Sequence, residues 1–149
     1  MISGKLVISP VKIAGKQKQD QERKAKIEKA AIRAVCDHFE AIGYNIDSVE
    51  KDNLGWDLEA ISGKIKLRIE VKGLSGSIFS VELTPNEFNA FNQKSSNYRL
   101  AVVLNALESP KVIICRHSPE KNNWVVEGEN TKVLNIEIRQ SATIKIGNG

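Results

Sequence analysis

The eight residues from Ile65 to Lys72 read Ile-Lys-Leu-Arg-Ile-Glu-Val-Lys, an unbroken alternation of apolar and charged side chains. Successive side chains of a β-strand point to opposite faces, so this segment predicts a strand with one dry face and one charged face. Ile65, Leu67, Ile69 and Val71 line the first. Glu70 and Lys72 emerge together on the second, about 7 Å apart by strand rise. The fold must therefore include a sheet, and any chemistry on this strand belongs to its charged face.

The flanking segments supply that sheet. Asp20 to Ile42 carries the longest helical signature, with Ile32, Val35, Phe39 and Ile42 at three- and four-residue steps and Gly43 as the stop. One turn back from Ile32 the stripe lands on Glu28, which is expected to point inward. Tyr44 to Val49 and Trp56 to Ile61 read as strands, separated by turn signals at Asp52-Asn53-Leu54-Gly55 and Ser62-Gly63. Ile78 to Leu83 reads as an added strand. Thr84-Pro85-Asn86-Glu87 is a helix start, with Thr as N-cap, Pro at the first helical position and Glu three residues beyond the cap, and it predicts a short helix to about Lys94. The apolar run Leu100 to Leu104 predicts a strand covered on both faces. Lys111 to Arg116, Trp124 to Glu127 and Val133 to Arg139 predict an antiparallel extension over residues 111–149. The expected fold class is α/β or α+β, with a mixed central sheet flanked by helices.

A length of 149 residues with 41% hydrophobic residues suits one domain, 1–149. No apolar run approaches the roughly 18 to 20 residues of a membrane span. Met1-Ile2-Ser3-Gly4-Lys5 does not open a secretion signal, so a cytoplasmic location is expected. Two cysteines, Cys36 and Cys115, are too few for a disulfide framework and are expected as buried, reduced thiols. The net charge is +4, but it is unevenly spread. From Lys12 to Arg33 eight basic residues face three acids, giving +5 and leaving −1 for the rest. That positive stretch reads either as a solvated helix face or as a contact for a polyanionic partner such as DNA, with Lys18, Arg23, Lys24, Lys26 and Lys29 as the contacting residues in the second case. Residues 1–20 are expected to form a flexible basic arm.

Asp57 enters the second strand just after Gly55-Trp56, and a hairpin between the second and third strands brings it toward Glu70. Two carboxylates brought together repel unless a cation sits between them, and hard oxygen ligands suit Mg²⁺ or Mn²⁺. Glu28 is the candidate for a third carboxylate. An ion held this way activates water and stabilises the charge that grows during phosphodiester hydrolysis, and Lys72 is placed to orient that water or stabilise the pentavalent state. His38 and His117 have no ligand partners at metal spacing, and Trp56 and Trp124 are expected to pack rather than to stack on bases.

Gly55-Trp56-Asp57, Ile69-Glu70-Val71-Lys72-Gly73, Leu83-Thr84-Pro85-Asn86-Glu87 and Tyr98-Arg99-Leu100 together resemble the NO VEIN-type C-terminal domain, a branch of the PD-(D/E)xK nuclease superfamily. The resemblance spans roughly Glu28 to Leu104. It implies a restriction-endonuclease-like core of order αβββαβ, metal ligands at Asp57 and Glu70, a catalytic lysine at Lys72 and an acidic residue on the first helix, for which Glu28 is the candidate. It further implies a Mg²⁺-dependent endonuclease acting on DNA in restriction, defence or DNA processing. The same analogy is compatible with a homodimer, and with a chain that acts either alone or with a separate helicase or ATPase partner. The competing expectation is an inactive nuclease fold that serves as a DNA-binding or protein-interaction module.

Overall fold

The computed structural model describes residues 10–147. Helix α1 (Pro10–Ala41) is followed by strands β1 (Asn45–Ser48), β2 (Leu58–Ser62) and β3 (Ile65–Gly73). Helix α2 (Pro85–Asn92) comes next, then strands β4 (Tyr98–Leu104), β5 (Lys111–Ser118), β6 (Asn123–Val126) and β7 (Glu129–Val133). Among the described residues these strands form one seven-stranded sheet in sequential order. All neighbours are antiparallel except β3 and β4, which run parallel. A parallel pair cannot be closed by a tight turn, and the crossover that carries α2 makes this connection. The result is an α+β fold with the expected αβββαβ order and an antiparallel extension. Among the described residues no helix is long and apolar enough to cross a membrane.

The sheet has two unlike faces. On one, Ala31, Val35 and Phe39 of α1 pack on Leu58, Ala60, Leu67, Ile69, Val71, Ala101 and Val103. Gly73 permits that contact, because a Cβ there would stand 2.7 Å from Ala31 Cβ and 3.0 Å from the Ile27 carbonyl oxygen. On the other face, Ala90 and Phe91 of α2 pack with Tyr98, Leu100, Val102, Cys115 and Trp124. Phe91 stacks on Trp124 with ring centroids 4.0 Å apart, and Tyr98 meets both rings edge-on. The central strand β4 is buried along both faces except at Arg99, as its apolar run predicts.

Several local expectations need correction. The helix starts at Pro10 rather than near Asp20, and residues 16–20 of the expected loose arm continue it, while residues 1–9 lie outside the described residues. From Lys16 to Lys26 the chain is Lys, Gln, Glu and Arg with one Ala and one Asp, mostly straight-chain helix formers without proline. The buried stripe is Ala31, Val35 and Phe39, with Ile27 part-buried one turn earlier, and Ile42 is 60% exposed. Since Ala31 rather than Ile32 is central, the preceding turn presents Ile27 to the sheet and Glu28 to solvent.

Ile78 to Leu83 is not a strand, because β4 occupies the edge of β3 through parallel pairing and leaves this segment no ladder. Its alternation is nonetheless used: Phe79, Val81 and Leu83 pack against the aromatic core while Ile78 is exposed. Val133 to Arg139 is likewise not a strand. A turn at Glu127-Gly128 reverses the chain directly after β6, so β7 begins at Glu129 and ends at Val133.

Candidate active site

Asp57 is placed by the point at which β2 departs from β3. Its N–H donates to the Ile69 carbonyl at 2.8 Å, and its Oδ2 accepts the Val71 N–H at 2.9 Å. The side chain thus continues the ladder that the backbone gives up. The approach is set by Gly55, which has φ +96°, and where a Cβ would meet Ala90 Cβ and the Asn86 carbonyl oxygen at 2.9 Å each. Tyr98 secures the same turn by donating its hydroxyl to the Gly55 carbonyl at 3.3 Å.

Glu70 and Lys72 project from β3 on the α2 side, as the alternation predicts. Glu70 is only 2% exposed. Lys72 Nζ lies 3.5 Å from Glu70 Oε2 and 2.7 Å from Glu87 Oε1. Glu87 has a second task at the start of α2, where Oε1 accepts the Thr84 N–H at 2.9 Å while Thr84 Oγ1 accepts the Glu87 N–H. One carboxylate therefore both closes the capping box and anchors the lysine. The capping role of Glu87 is legible in the sequence, whereas its place at the site is set by the crossover that lowers α2 onto β3, a tertiary feature.

The electrostatics follow from burial among like charges. Desolvation, reinforced by Asp57 and Glu87, pushes the Glu70 carboxyl up to about 9. Desolvation also raises Asp57, against the lowering effect of the Val71 N–H. Burial alone would depress Lys72, but the Glu87 hydrogen bond and the Glu70 and Glu87 charges outweigh it and leave Lys72 above its ordinary value. Burial acts to raise Glu87, yet the Lys72 hydrogen bond and the Thr84 N–H hold it below the usual range. With Glu70 protonated the cluster of Asp57, Glu70, Lys72 and Glu87 carries −1, and with Glu70 ionised it carries −2.

Of the residues singled out from the sequence, the structure brings Asp57, Glu70 and Lys72 together. It does not bring Glu28, which is exposed on α1 and forms no hydrogen bond or ion pair with the cluster among the described residues. Lys18, Arg23, Lys24, Lys26 and Lys29 are all exposed along α1. Cys36 and Cys115 are free thiols; Cys115 is buried as expected, and burial pushes it up to about 12, whereas Cys36 is only half-buried. His117 packs edge-on against Trp124, with Nε2 buried and unpartnered.

Among the described residues no three His, Cys, Asp or Glu side chains form a ready metal cage. A Mg²⁺ ion, however, needs only one or two carboxylates together with water and substrate phosphate. The donor set fits such an ion: both carboxyls are hard oxygen donors, both titrate high, and the ionised cluster has a charge of −2 that a divalent cation would neutralise.

A family model described as Protein NO VEIN, C-terminal, matches residues 27–115, more than half of the chain. The chain belongs to the NO VEIN C-terminal domain family. The family region runs from the packed half of α1 into β5, so it contains Asp57, Glu70, Lys72 and Glu87, and it leaves out the basic first half of α1. No curated protein and no solved structure matched the chain.

Proposed function

We propose that this NO VEIN C-terminal domain is a metal-dependent endonuclease of the PD-(D/E)xK type, hydrolysing phosphodiester bonds in DNA. The observation that carries the reading is the meeting of Asp57, Glu70 and Lys72 under α2, with Glu70 buried and sharing its one lysine with Glu87. Asp57 and Glu70 would hold Mg²⁺ or Mn²⁺, which when bound supplies Lewis-acid stabilisation and an acidified water. Lys72 orients the attacking water and stabilises the negative charge that develops on phosphorus-bound oxygens. Glu87 keeps the lysine charged and aimed. Lys18, Arg23, Lys24, Lys26 and Lys29 hold the phosphate backbone along the exposed side of α1.

The test is plasmid cleavage with Mg²⁺ or Mn²⁺, comparing wild type with Glu70→Ala and Lys72→Ala. Cleavage that is lost on chelation and in both variants is expected; activity that survives both substitutions contradicts these roles.

One observation favours a second reading, an inactive nuclease fold that only binds DNA. Lys72 is already paired with Glu87 at 2.7 Å, so the network closes on itself. Such a domain would bind DNA with strong salt dependence and be indifferent to Mg²⁺. A Mg²⁺-induced rise in Tm that disappears in Asp57→Asn separates the two, because a ligand stabilises only the state that binds it.

A further inference from the structure

Next to the acid cluster stands a cation that the proposed mechanism does not use. Arg68 lies two residues before Glu70 on the same face of β3, and its side chain is exposed. Its cross-strand neighbour is Glu59, the nearest candidate for an ion pair. Glu59 is already engaged twice, by Lys66 Nζ at 2.8 Å on Oε1 and by the Trp56 indole N–H at 3.0 Å on Oε2. Arg68 instead rests on the Trp56 ring, with its guanidinium carbon 4.9 Å from the centroid. Among the described residues it joins no ion pair.

This arrangement prepares an anion site. An aromatic face steadies a guanidinium without occupying its N–H fork, which leaves the fork available to a phosphate that approaches. The platform is itself fixed: Glu59 holds the indole N–H, and Gly55 is tied to the turn beneath α2. Trp56 also directly precedes Asp57, so the platform and the acid cluster share one backbone anchor. Arg68 and Glu70 are about 7 Å apart by strand rise, on the order of the step between neighbouring phosphates of a nucleic-acid strand.

We propose that Arg68, resting on Trp56, binds a phosphate adjacent to the scissile one, and that Trp56 is its positioning residue. The inference rests on the nuclease reading of the neighbouring carboxylates. Since this phosphate does not react, its contact is made equally in the ground and transition states, and its loss raises KM while leaving kcat in place.

The test is fluorescence anisotropy of a labelled DNA duplex with the full chain, in a Glu70→Gln background that prevents turnover. Arg68→Ala and Arg68→Gln are expected to weaken binding about ten-fold and to reduce the slope of log affinity against log salt by about one. Trp56→Ala is expected to give a smaller loss that Trp56→Phe restores, which a purely structural role of Arg68 would not produce. With Glu70 intact, the same Arg68 variants should raise KM and spare kcat. Unchanged affinity and salt slope in both Arg68 variants would overturn the inference, even if the wild type cleaves DNA. A wild type that binds without cleaving, and loses that binding with Arg68, would support the anion site while removing the nuclease reading. A wild type that binds no DNA would overturn both.

Discussion

The two faces of β3 use alternate residues of one strand for opposite ends. Leu67, Ile69 and Val71 are sealed against α1 in a core without a buried charge, whereas Glu70, one residue from Ile69, is equally sealed but sits among Asp57, Lys72 and Glu87. The first face gains stability from burying hydrocarbon. The second bears the cost of desolvating a carboxyl beside two others, which only proton uptake, Lys72 or a bound cation can relieve. Equal burial therefore means different things on the two faces: packing on one, and a stored demand for positive charge on the other.

The comparison can be broken first at its chemical face. On the proposed nuclease reading, Glu70→Ala and Lys72→Ala should each lower the rate of DNA cleavage by at least about 10³-fold, or ~4 kcal/mol of transition-state stabilisation, in single-turnover assays. Both should remain folded by circular dichroism. At the packing face, Ile69→Ala should lower the free energy of unfolding by about 3 kcal/mol in urea titrations. The remaining folded molecules should cleave at the wild-type rate. Should Ile69→Ala abolish cleavage in fully folded protein, the division of labour between the faces would be wrong.

A smaller effect, per pH unit, sharpens the electrostatic contrast. The Glu70 carboxyl is raised in the folded state from an ordinary 4.5 to about 9, so between those values the native protein holds a proton that the unfolded chain has released. Metal-free stability is then greatest below pH 4.5 as far as this group is concerned, and falls as pH rises toward 9, with a slope of at most about 1.4 kcal/mol per unit. Asp57, also raised, adds to the decline just above its ordinary 3.8. Glu87, held low, contributes stability that is lost only as pH falls below the normal carboxylate range. Glu70→Gln should flatten the slope between pH 5 and 9 in thermal unfolding, and an unchanged slope would show that Glu70 does not titrate there.

The smallest effect lies where the faces meet the helix start. Thr84→Ala removes the acceptor for the Glu87 N–H and should cost about 1 kcal/mol of stability. Because Glu87 keeps its bond to Lys72, cleavage by the folded protein should change little, whereas Glu87→Gln should impair cleavage more than stability.

How much of this was legible in the sequence follows from which signals are local. The alternation of β3 and the capping box of α2 are written in consecutive residues, and both elements form where they were expected. The meeting of Asp57 with Glu70 needed only the hairpin between β2 and β3, so it too was legible. Glu87 at the site required knowing how the crossover lowers α2 onto the sheet. The inward Glu28 failed because a helical stripe read from large side chains skipped Ala31, whose small size is what lets α1 approach Gly73. Ile78 to Leu83 failed because alternation reports which side chains are buried and not whether a backbone partner exists.

On the proposed reading a divalent cation meets the charge demand around Asp57 and Glu70, which calorimetric titration of the full chain with MnCl₂ at neutral pH would detect. One ion bound per chain, with binding lost in both Asp57→Asn and Glu70→Gln, is the predicted result. Absence of binding in the wild type, or equal binding in all three proteins, would contradict it.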